Sequence, residues 1–557
     1  MSGPHMTTPG DELLFLPLGG AGEIGMNLNL YGCRSKWLML DLGVTFADDS
    51  MPGLDVLMPD PAFIVERRDA LVGVVLTHAH EDHLGAVPDL WPLLRCPIYA
   101  TPFAASVLKR KLAEAGLADD VPLTIVPLGG KLSLPPFELE FVTMTHSIPE
   151  PNAVAIRTPH GVVLHTGDWK IDPDPLIGEV TDEAGLRRLG TDGVLAMVCD
   201  STNVFVPGEA GSESEVRHRL TDVIRHQKAL VAVTCFASNL ARVESVATAA
   251  VAAGRHPVLV GRALHRMIEA AQENGYLVDF PPGVSERDAG WLPREKVCLI
   301  CTGSQGEPRA ALARLASGEN RDIALQPGDT VVFSSRVIPG NEKPIGRLQN
   351  QLSAMGVEII TDRDADIHVS GHPARDELTR LYQWIRPRIA VPVHGEQRHM
   401  VEHAALAREC QVPAAVVAPN GSLVRLAPGP AEIVDHVPAG RLARDGTRLV
   451  SIDDIGLRDR RKMLWNGAAV ATLVLDRTGR PLTAPRLTVQ GLGGDAGVIG
   501  EAVAAGVEAL RASVADLSDS EARDDATVAE AARRAVRRVF KSRFDKKPLT
   551  DVQVVRI

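Results

Sequence analysis

The stretch of this sequence with the greatest capacity for chemistry is Thr77-His78-Ala79-His80-Glu81-Asp82-His83. It follows the short apolar run 71–76, which is rich in valine and bounded by polar residues and therefore predicts a buried strand. Side chains alternate along an extended segment, so the first two histidines share one face and could bind one ion. The aspartate and the last histidine precede a short helix predicted over 84–94 and would point toward a second ion. This donor set suits zinc or manganese, and the alternative is a solvated loop with coincidental histidines.

A glycine-rich segment lies between predicted strands near the start of the chain. Leu13–Leu18 predicts a strand, and Gly20–Gly25 then satisfies the pattern GxGxxG. A dinucleotide site would require a helix to begin there, whereas Asn27–Tyr31 and Trp37–Leu42 predict two further strands. We therefore interpret the glycines as a tight connection and keep a nucleotide cofactor as the alternative.

Beyond Gly211 the predicted helices and strands alternate strictly. The predicted elements cover residues 213–228, 230–235, 239–253, 257–260, 264–274, 296–302, 312–316, 330–334, 345–355 and 357–361. This alternation predicts a doubly wound parallel sheet with a core of its own. Cys298 and Cys301 fall in one predicted strand, where a spacing of three places their thiols on opposite faces. We therefore predict two core residues rather than a redox or zinc pair.

Length, charge and cysteine content limit the possible classes of protein. The 557 residues are too many for one core and predict about three domains. The net charge of −11 is unexpected for a protein that binds nucleic acid, because the overall field repels phosphate. Seven scattered cysteines argue against a disulfide framework. Since no apolar run approaches ~18 residues and no basic-then-apolar leader is present, we expect a cytoplasmic protein without a membrane span.

The histidine-rich heptad resembles the HxHxDH signature of the metallo-β-lactamase superfamily. This resemblance implies further ligands after the strand-like runs 137–142, 161–164 and 389–393, where α/β sheets place their sites. By the superfamily pattern, one ion would be held by His78, His80 and His146, the other by Asp82, His83 and His394, and both by Asp168. Asp41 matches an acidic motif whose role in the superfamily is to hold the histidine loop.

Other motifs resemble the β-CASP subgroup, whose members are nucleases. They are Asp200-Ser-Thr-Asn203, His368-Val-Ser-Gly-His372 and His394-Gly-Glu396. Within the subgroup, the match to the ribonuclease J family extends over most of the chain through the segments Gly19–Gly25, His146–Pro149, Thr234–Asn239, Thr302–Pro308 and Ser334–Glu342. The implied fold is α/β: a metallo-β-lactamase αββα sandwich with an inserted doubly wound β-CASP domain and a small α+β C-terminal domain. The predicted bounds are 11–210 and 368–445 for the sandwich, 211–367 for the insertion, 446–464 for a linker and 465–557 for the C-terminal domain.

The resemblance also implies an activity. The family hydrolyses RNA phosphodiester bonds with two divalent ions, and we expect zinc, with manganese or magnesium as alternatives. A 5′→3′ exonuclease that favours 5′-monophosphate ends and also cuts internally is implied, acting in RNA maturation and decay. His368 is the candidate to protonate the leaving group, or else a hydrogen-bonding residue behind the ligands. Asp200 would orient a neighbouring histidine, and Asp82 is counted as catalytic as well as metal-binding.

A pocket for the 5′-monophosphate is implied one nucleotide from the scissile bond. Its candidate residues are His368, Val369, Ser370, Gly371 and His372, together with Ser238, Asn239, Ser335 and Arg336 of the insertion. Backbone N–H groups at a small Ser-Gly turn suit an anion because they offer several donors at close approach.

The C-terminal end of the chain is locally basic. Its cationic residues are Arg533, Arg534, Arg537, Arg538, Lys541, Arg543, Lys546 and Lys547. Either they form a solvated helix face, or they contribute to RNA binding or to a subunit contact. The resemblance implies that this domain serves assembly into a homodimer or homotetramer, with further partners in an RNA-degradation complex.

Three other functions fit parts of the pattern. A DNA-directed β-CASP nuclease would share every motif. A small-substrate hydrolase of the superfamily would not need the long insertion. A catalytically inactive RNA-binding scaffold would not need to keep seven candidate metal ligands.

Overall fold

The structure is a computed structural model that describes residues 10–48, 50–338 and 340–557. The chain divides into two compact units, of which the second comprises Phe46–Val56 and Leu442–Ile557. The segment predicted as a linker, 446–464, contains the strand Arg448–Ser451 and most of the helix Ile455–Asn466, and it belongs to this second unit. The domain bounds themselves stay predictions.

Two sheets form the framework of the first unit. The eight-stranded sheet has the order Glu432–His436, Ser422–Ala427, Leu13–Gly19, Leu28–Cys33, Lys36–Leu40, Leu71–Val75, Ile98–Ala100 and Leu123–Ile125. The seven-stranded sheet has the order Lys131–Leu134, Phe137–Thr143, Asn152–Thr158, Gly161–His165, Ala196–Asp200, Ile389–Val393 and Ala414–Ala415. The three strands predicted around the glycine segment are confirmed, and no helix opens there, as a dinucleotide site would require.

Alternation along the strands explains why the two sheets face each other. Phe141 and Val198 of the seven-stranded sheet share one core with Phe15 and Leu38 of the eight-stranded sheet. Their neighbours Val142 and Cys199 point the other way, into a second core that helices cover. The helices of this unit outside the insertion are Ala62–Val65, Glu81–Leu84, Val87–Leu94, Pro102–Glu114, Glu183–Asp192, Arg375–Ile385 and Gln397–Glu409. The single helix predicted over 84–94 is thus two short helices, and the first begins within the histidine-rich heptad.

The sheet order brings distant parts of the chain to one edge. Phe137–Thr143 and Gly161–His165 flank an antiparallel strand and therefore run in the same direction. Gly161–His165, Ala196–Asp200 and Ile389–Val393 are parallel neighbours. The carboxyl ends of these four strands consequently lie at the same edge, where each is followed by a candidate site residue.

The insertion is a five-stranded parallel sheet, as predicted. Its order is His256–Val260, Val297–Cys301, Val231–Thr234, Thr330–Phe333 and Glu358–Ile360. The accompanying helices are Glu213–His226, Leu240–Ala252, Arg262–Glu273, Glu286–Ala289, Ala311–Ala316 and Glu342–Ala354. The first strand in sequence lies centrally and the order reverses around it, which defines a doubly wound sheet. Both Cys298 and Cys301 are fully buried in this sheet.

The second unit contains a small α+β domain. Its three strands are Arg486–Gln490, Ala468–Leu475 and Leu549–Arg556, in that order. The helices Ala496–Ala515 and Asp525–Phe544 cover this sheet through a core that includes Leu473, Leu510 and Phe540. The hairpin of Arg441–Asp445 and Arg448–Ser451 precedes it in the chain.

Among the described residues, no helix has the length and apolar character needed to cross a membrane.

Candidate metal centre

Three histidines and one aspartate converge where the two sheets meet at their carboxyl edges. His80 Nδ1 lies 3.1 Å from His78 Nε2 and 3.0 Å from His146 Nε2. Asp168 Oδ2 lies 3.9 Å from the Nε2 atoms of both His78 and His146. The four donor atoms lie within 4.8 Å of one another and could hold a metal ion. This group is the predicted first ligand set.

A second donor group shares Asp168 with the first. His83 Nε2 is 3.1 Å from Asp168 Oδ2 and 3.6 Å from Asp82 Oδ2. His394 Nε2 is 3.7 Å from Asp82 Oδ2, and its Nδ1 is 3.4 Å from Asp168 Oδ1. These four residues also meet the distance condition for a metal site. Two imidazole-rich groups joined by one carboxylate match the predicted arrangement of two ions.

Hydrogen bonds behind the ligands decide which ring nitrogens face inward. Asp41 accepts hydrogen bonds from the Thr77 hydroxyl at 2.9 Å and from His83 Nδ1 at 2.7 Å. Because the Thr77 proton is already committed to Asp41, the contact of 3.0 Å between Thr77 Oγ1 and His78 Nδ1 requires His78 to donate. The Nδ1 atoms of His78 and His83 therefore donate away from the donor groups, and the Nε2 atom of each ring faces them, as metal coordination requires.

His146 is oriented in the same way by a different partner. Its Nδ1 donates to the carbonyl oxygen of Gly371 at 2.5 Å, so its Nε2 lone pair faces His80. Gly371 has no room for a side chain, since an added Cβ would lie 2.6 Å from His146 Cε1. Converging imidazole lone pairs repel one another unless a cation lies between them. The buried donor set therefore fits a divalent metal ion.

The electrostatics of the metal-free protein show the same need for positive charge. Burial would raise the pKa of Asp168, but His394 and His83 hold it well below its usual range. Burial would lower the pKa of His83, but Asp168 and Asp41 raise it well above its usual value. The buried His80 has its pKa lowered to about 4, chiefly by desolvation. The carboxylates of Asp168 and Asp41 thus favour positive charge at His83, as they would favour a metal ion beside it.

The glycine segment near the N-terminus positions His394. The backbone N–H of His394 donates to Gly20 O at 2.6 Å, and Ala21 pairs with Gly395 in a short parallel ladder. Gly20 has a φ of +83°, and a Cβ there would lie 2.2 Å from Asn27 Oδ1. The interpretation of this segment as a tight connection is confirmed, and its contact partner is the loop that carries the last ligand.

His372 lies beside the donor groups. His372 Nδ1 is 2.8 Å from Asp200 Oδ2 and 3.9 Å from Asp168 Oδ2, and the three residues form a third possible metal group. Burial would lower the pKa of His372, but Asp200 and then Asp168 raise it to about 9. The histidine that Asp200 orients is therefore His372. The role of His368 at the leaving group stays a prediction, and the contacts of His372 with Asp200 and Asp168 make His372 the stronger candidate for that role.

His368 is held by the insertion instead. Its Nδ1 lies 3.3 Å from Nη1 of Arg242, a fully buried residue whose guanidinium also pairs with Glu213 and with Ser334. Burial and the positive charges of Arg242 and Arg336 keep the pKa of His368 well below its usual value. His368 therefore connects the loop of the first unit to the buried ion pair of the insertion.

Two of the candidate pocket residues, Ser370 and Asn239, have well-defined hydrogen-bond partners. Ser370 Oγ accepts hydrogen bonds from Asn203 Nδ2 at 2.7 Å and from the His372 N–H at 3.2 Å, so its own proton is free to donate. Asn239 caps the helix Leu240–Ala252 and donates to Glu213. Both polar groups of Asn239 are thus used within the insertion.

The remaining candidate pocket residues differ in how far they are buried. Ser335 is buried, Ser238 is half-buried and Arg336 is exposed. The carbonyl of Arg336 accepts from Gln305. Val369 is half-buried and lies against Gly211. A Cβ added to Gly211 would lie 3.0 Å from the Cγ1 methyl group of Val369.

Two asparagines of the site were missed by sequence reasoning. Asn27 contacts His83 Nε2 at 3.1 Å and His394 Nδ1 at 3.2 Å. Asn203 supports the turn that carries Ser370 and His372. Asn203 belongs to the motif that begins at Asp200 and could have been found there, whereas Asn27 carries no signal beyond its position after the glycines.

The fold and the two joined donor groups define a metallo-β-lactamase-type hydrolase with an inserted nuclease domain. Family profiles match four consecutive parts of the chain. They are the beta-lactamase superfamily domain at 50–238, the ribonuclease J beta-CASP domain at 228–352, the Zn-dependent metallo-hydrolase RNA specificity domain at 357–417 and the ribonuclease J C-terminal domain at 455–557.

Relatives match over nearly the full length. Ribonuclease J of Sinorhizobium meliloti is 45% identical over 99% of this chain and 99% of its own. Ribonuclease J of Mycolicibacterium smegmatis is 39% identical over 100% and 99%, and that of Corynebacterium glutamicum is 37% identical over 97% and 75%. The chain belongs to the ribonuclease J family. A crystal structure of a protein of unknown function from Enterococcus faecalis V583 covers 74% of this chain with a TM-score of 0.51 and 15% identity, which shows a shared fold.

Proposed function

We propose that this ribonuclease J family member hydrolyses RNA with two divalent metal ions bound in the two donor groups described above. The observation that carries the proposal is the sharing of Asp168 by the groups His78–His80–His146 and Asp82–His83–His394. Two ions held in this way would polarise a phosphodiester and lower the pKa of water between them. Side chains of the protein would carry out the other steps, which are protonation of the leaving group and binding of the 5′ phosphate.

His372 is the side chain best placed to deliver a proton to the leaving group. Asp200 accepts from His372 Nδ1, which leaves the other ring nitrogen to donate. The pair keeps the imidazole charged and fixed in orientation, because Asp200 is itself held by the Thr202 N–H and hydroxyl. A positioned acid of this kind contributes about 10²–10⁴-fold to rate. His372→Ala should therefore lower kcat by that order on RNA with any 5′ end.

Zinc is the proposed metal. Five of the seven candidate ligands are histidines, and imidazole-rich sites prefer zinc to magnesium. Manganese accepts the same mixed donors and is the second choice. Magnesium favours oxygen ligands and suits this set least.

The proposed reaction is 5′→3′ exonucleolytic, with internal cleavage as well. The Ser370 hydroxyl is free to donate and lies on the turn adjacent to His372. A terminal phosphate bound there would sit close to the metal groups, so that cleavage would release one nucleotide at a time. A 5′-triphosphate is bulkier than the proposed pocket and should slow exonucleolytic but not internal cleavage.

The proposal extends to the setting in which the enzyme acts. We infer a cytoplasmic homodimer or homotetramer that works on RNA in maturation and decay, together with other proteins of an RNA-degradation complex. Family membership supports this setting. Sedimentation or light scattering of the purified protein would give the oligomer mass.

The decisive experiment uses RNA labelled at the 3′ end and carrying a 5′-monophosphate, triphosphate or hydroxyl. The purified protein is freed of metal and then supplied with zinc, manganese or magnesium. Shortening of the labelled monophosphorylated RNA by one nucleotide at a time from its 5′ end supports the proposal. His80→Ala is the matched variant, since it removes one ligand and should abolish turnover and bound metal while the fold remains. Wild-type turnover in that variant would contradict the two-metal assignment.

Two competing functions are a nuclease that acts on DNA and a scaffold that binds RNA without hydrolysing it. A DNA oligomer of the same sequence distinguishes a DNA-directed nuclease if it is cut faster than RNA. An inactive scaffold would bind the labelled RNA and cut neither polymer.

A further inference from the structure

We propose that Phe205 and Arg398 form a nucleotide subsite beside the metal centre, in which a base of the RNA substrate stacks on the phenyl ring. This inference rests on the proposed function for the identity of the ligand. The phenyl ring of Phe205 is 51% exposed, although its loop leads directly out of the catalytic strand that ends at Asp200. An exposed aromatic ring on a loop that leaves this strand is suited to stacking, because every base offers a π-face.

The loop that carries Phe205 is fixed at both ends. The Thr202 N–H donates to Asp200 Oδ1 at 2.8 Å, and the Val206 N–H donates to Asn203 O at 2.8 Å. The carbonyl of Val206 in turn accepts from the Arg375 N–H at 2.9 Å. The backbone that carries the phenyl ring is therefore held in place before a ligand arrives, which lowers the entropic cost of binding.

The position of the loop places the ring within reach of the candidate pocket. Asn203 donates to Ser370 Oγ and to the carbonyl of His372. Phe205 follows Asn203 by two residues, and two residues span at most about 7 Å. The backbone of Phe205 therefore lies within about 7 Å of Asn203, the residue that contacts the Ser370–His372 turn.

The helix Gln397–Glu409 contributes two side chains that lie near the Phe205 ring, His399 and Arg398. The His399 ring lies edge-on to Phe205 with centroids 5.3 Å apart, and its side chain is only 7% exposed. His399 Nδ1 is buried with no hydrogen-bond partner among the described residues, and the nearest acidic oxygen, of Glu396, is 3.9 Å away. The imidazole that carries this unpartnered nitrogen therefore contacts Phe205, the ring on which we propose that the base stacks.

Arg398 provides the charge for a phosphate. Its guanidinium lies 6.0 Å from the centre of the Phe205 ring, and its side chain is 65% exposed. Its Nε donates to Glu396 at 2.9 Å, and no acceptor in the described part of the chain lies within hydrogen-bond distance of its two Nη groups, which are therefore available for a phosphate. Glu396 gives the helix no side-chain cap, so the first backbone N–H groups also lack a side-chain acceptor. Base stacking and phosphate pairing thus meet at one place.

Fluorescence of 2-aminopurine tests the stacking without requiring hydrolysis. Single-stranded RNA with a 5′-monophosphate carries one 2-aminopurine at each of the first positions in turn, and EDTA prevents cleavage. We expect one position to be quenched by the wild-type protein, released by Phe205→Ala and quenched again by Phe205→Tyr. Trp291→Ala is the matched control, because Trp291 is 86% exposed on the insertion, and this variant should keep the quench.

Kinetics on RNA that lacks the base at that position complete the test. Phe205→Ala should raise KM on intact RNA about five- to 100-fold, the effect of one stacked base, and should leave KM on the abasic RNA unchanged. Turnover of bis(p-nitrophenyl) phosphate, which is too small to reach the ring, should not change. Arg398→Met should reduce the slope of log KM against log salt by about 1.

The outcomes separate failure of the subsite from failure of the proposed function. If no position is quenched, or if the quench persists in Phe205→Ala or disappears equally in Trp291→Ala, the subsite is wrong. Equal rises of KM on intact and abasic RNA would likewise overturn it, since they would mean that Phe205 supports only the loop. If RNA is not hydrolysed at all, the proposed function fails while the fluorescence still decides whether the base stacks.

Discussion

The imidazole of His372 and the carboxylate of Asp200 are hydrogen bonded at 2.8 Å, although 172 residues of sequence separate them. Asp200 ends a strand of the seven-stranded sheet and His372 lies on the loop after the insertion. Both also approach the carboxylate that joins the two donor groups. The proton transfer proposed for His372 therefore requires that the chain, after the insertion, return to the end of the strand that carries Asp200.

The His372–Asp200 pair should make the stability of the metal-free protein depend on pH. The pKa of His372 is raised from about 6.5 when unfolded to about 9 in the folded protein. Its contribution is therefore fully present below pH ~6.5 and is lost as the pH rises toward 9. In EDTA, the urea midpoint of Asp200→Asn should differ from wild type more at pH 6 than at pH 9. A difference that is the same at both pH values would contradict the coupling.

Gly371→Ala should weaken metal binding through His146. The added Cβ would lie 2.6 Å from Cε1 and 2.7 Å from Nδ1 of that ring, so the ring must move. Loss of an outer hydrogen bond to a ligand costs about ten- to 100-fold in metal affinity, which competition with a chelator measures. Gly346→Ala is the control, because no atom lies within 4 Å of its Cβ and the residue is in the helix Glu342–Ala354. Equal metal affinity in both variants would show that Gly371 does not constrain His146.

Ser370→Ala should act according to the 5′ end of the substrate. The Ser370 hydroxyl has both lone pairs engaged by Asn203 and the His372 N–H, so it can only donate. Loss of a hydrogen bond to a charged group costs ~1.5–3 kcal/mol, or about ten- to 100-fold in kcat/KM on 5′-monophosphate RNA. RNA with a 5′-hydroxyl should be cut at the wild-type rate. If both substrates slow equally, Ser370 serves the turn that holds His372 and not the phosphate.

Removal of Trp465–Ile557 should change assembly more than chemistry. Every candidate ligand lies in the first unit, whereas the removed segment contains the three-stranded sheet and the basic helix Asp525–Phe544. We expect a smaller mass by light scattering, weaker binding of long RNA and unchanged cleavage of a dinucleotide. An unchanged mass together with loss of dinucleotide cleavage would contradict this division of roles.

The candidate ligands could be predicted because each of them lies just after an apolar strand, a pattern that is visible in the local sequence. Residues 78–83 follow an apolar strand at a spacing that fixes which side chains share a face, and the donor chemistry of histidine and aspartate limits the ions they can bind. His146, Asp168 and His394 each follow a strand in the same way. Resemblance to the superfamily then supplied the pairing of these segments, which spacing alone does not contain.

The sequence by itself therefore determined the candidate donor residues of the segment 78–83 and the alternation that defines the inserted sheet. Only the tertiary structure showed that His372 of the segment 368–372 contacts Asp200 and approaches Asp168, because the sequence of a five-residue loop does not fix which of its side chains faces a neighbouring strand. It also decided that Asn27 and Asn203 support the site, that Asn239 is used within the insertion, and that Phe205 stays exposed beside Asp200. The physical reason is that strand periodicity is local, whereas hydrogen bonds between loops depend on sheet order and on the register of strands far apart in the chain.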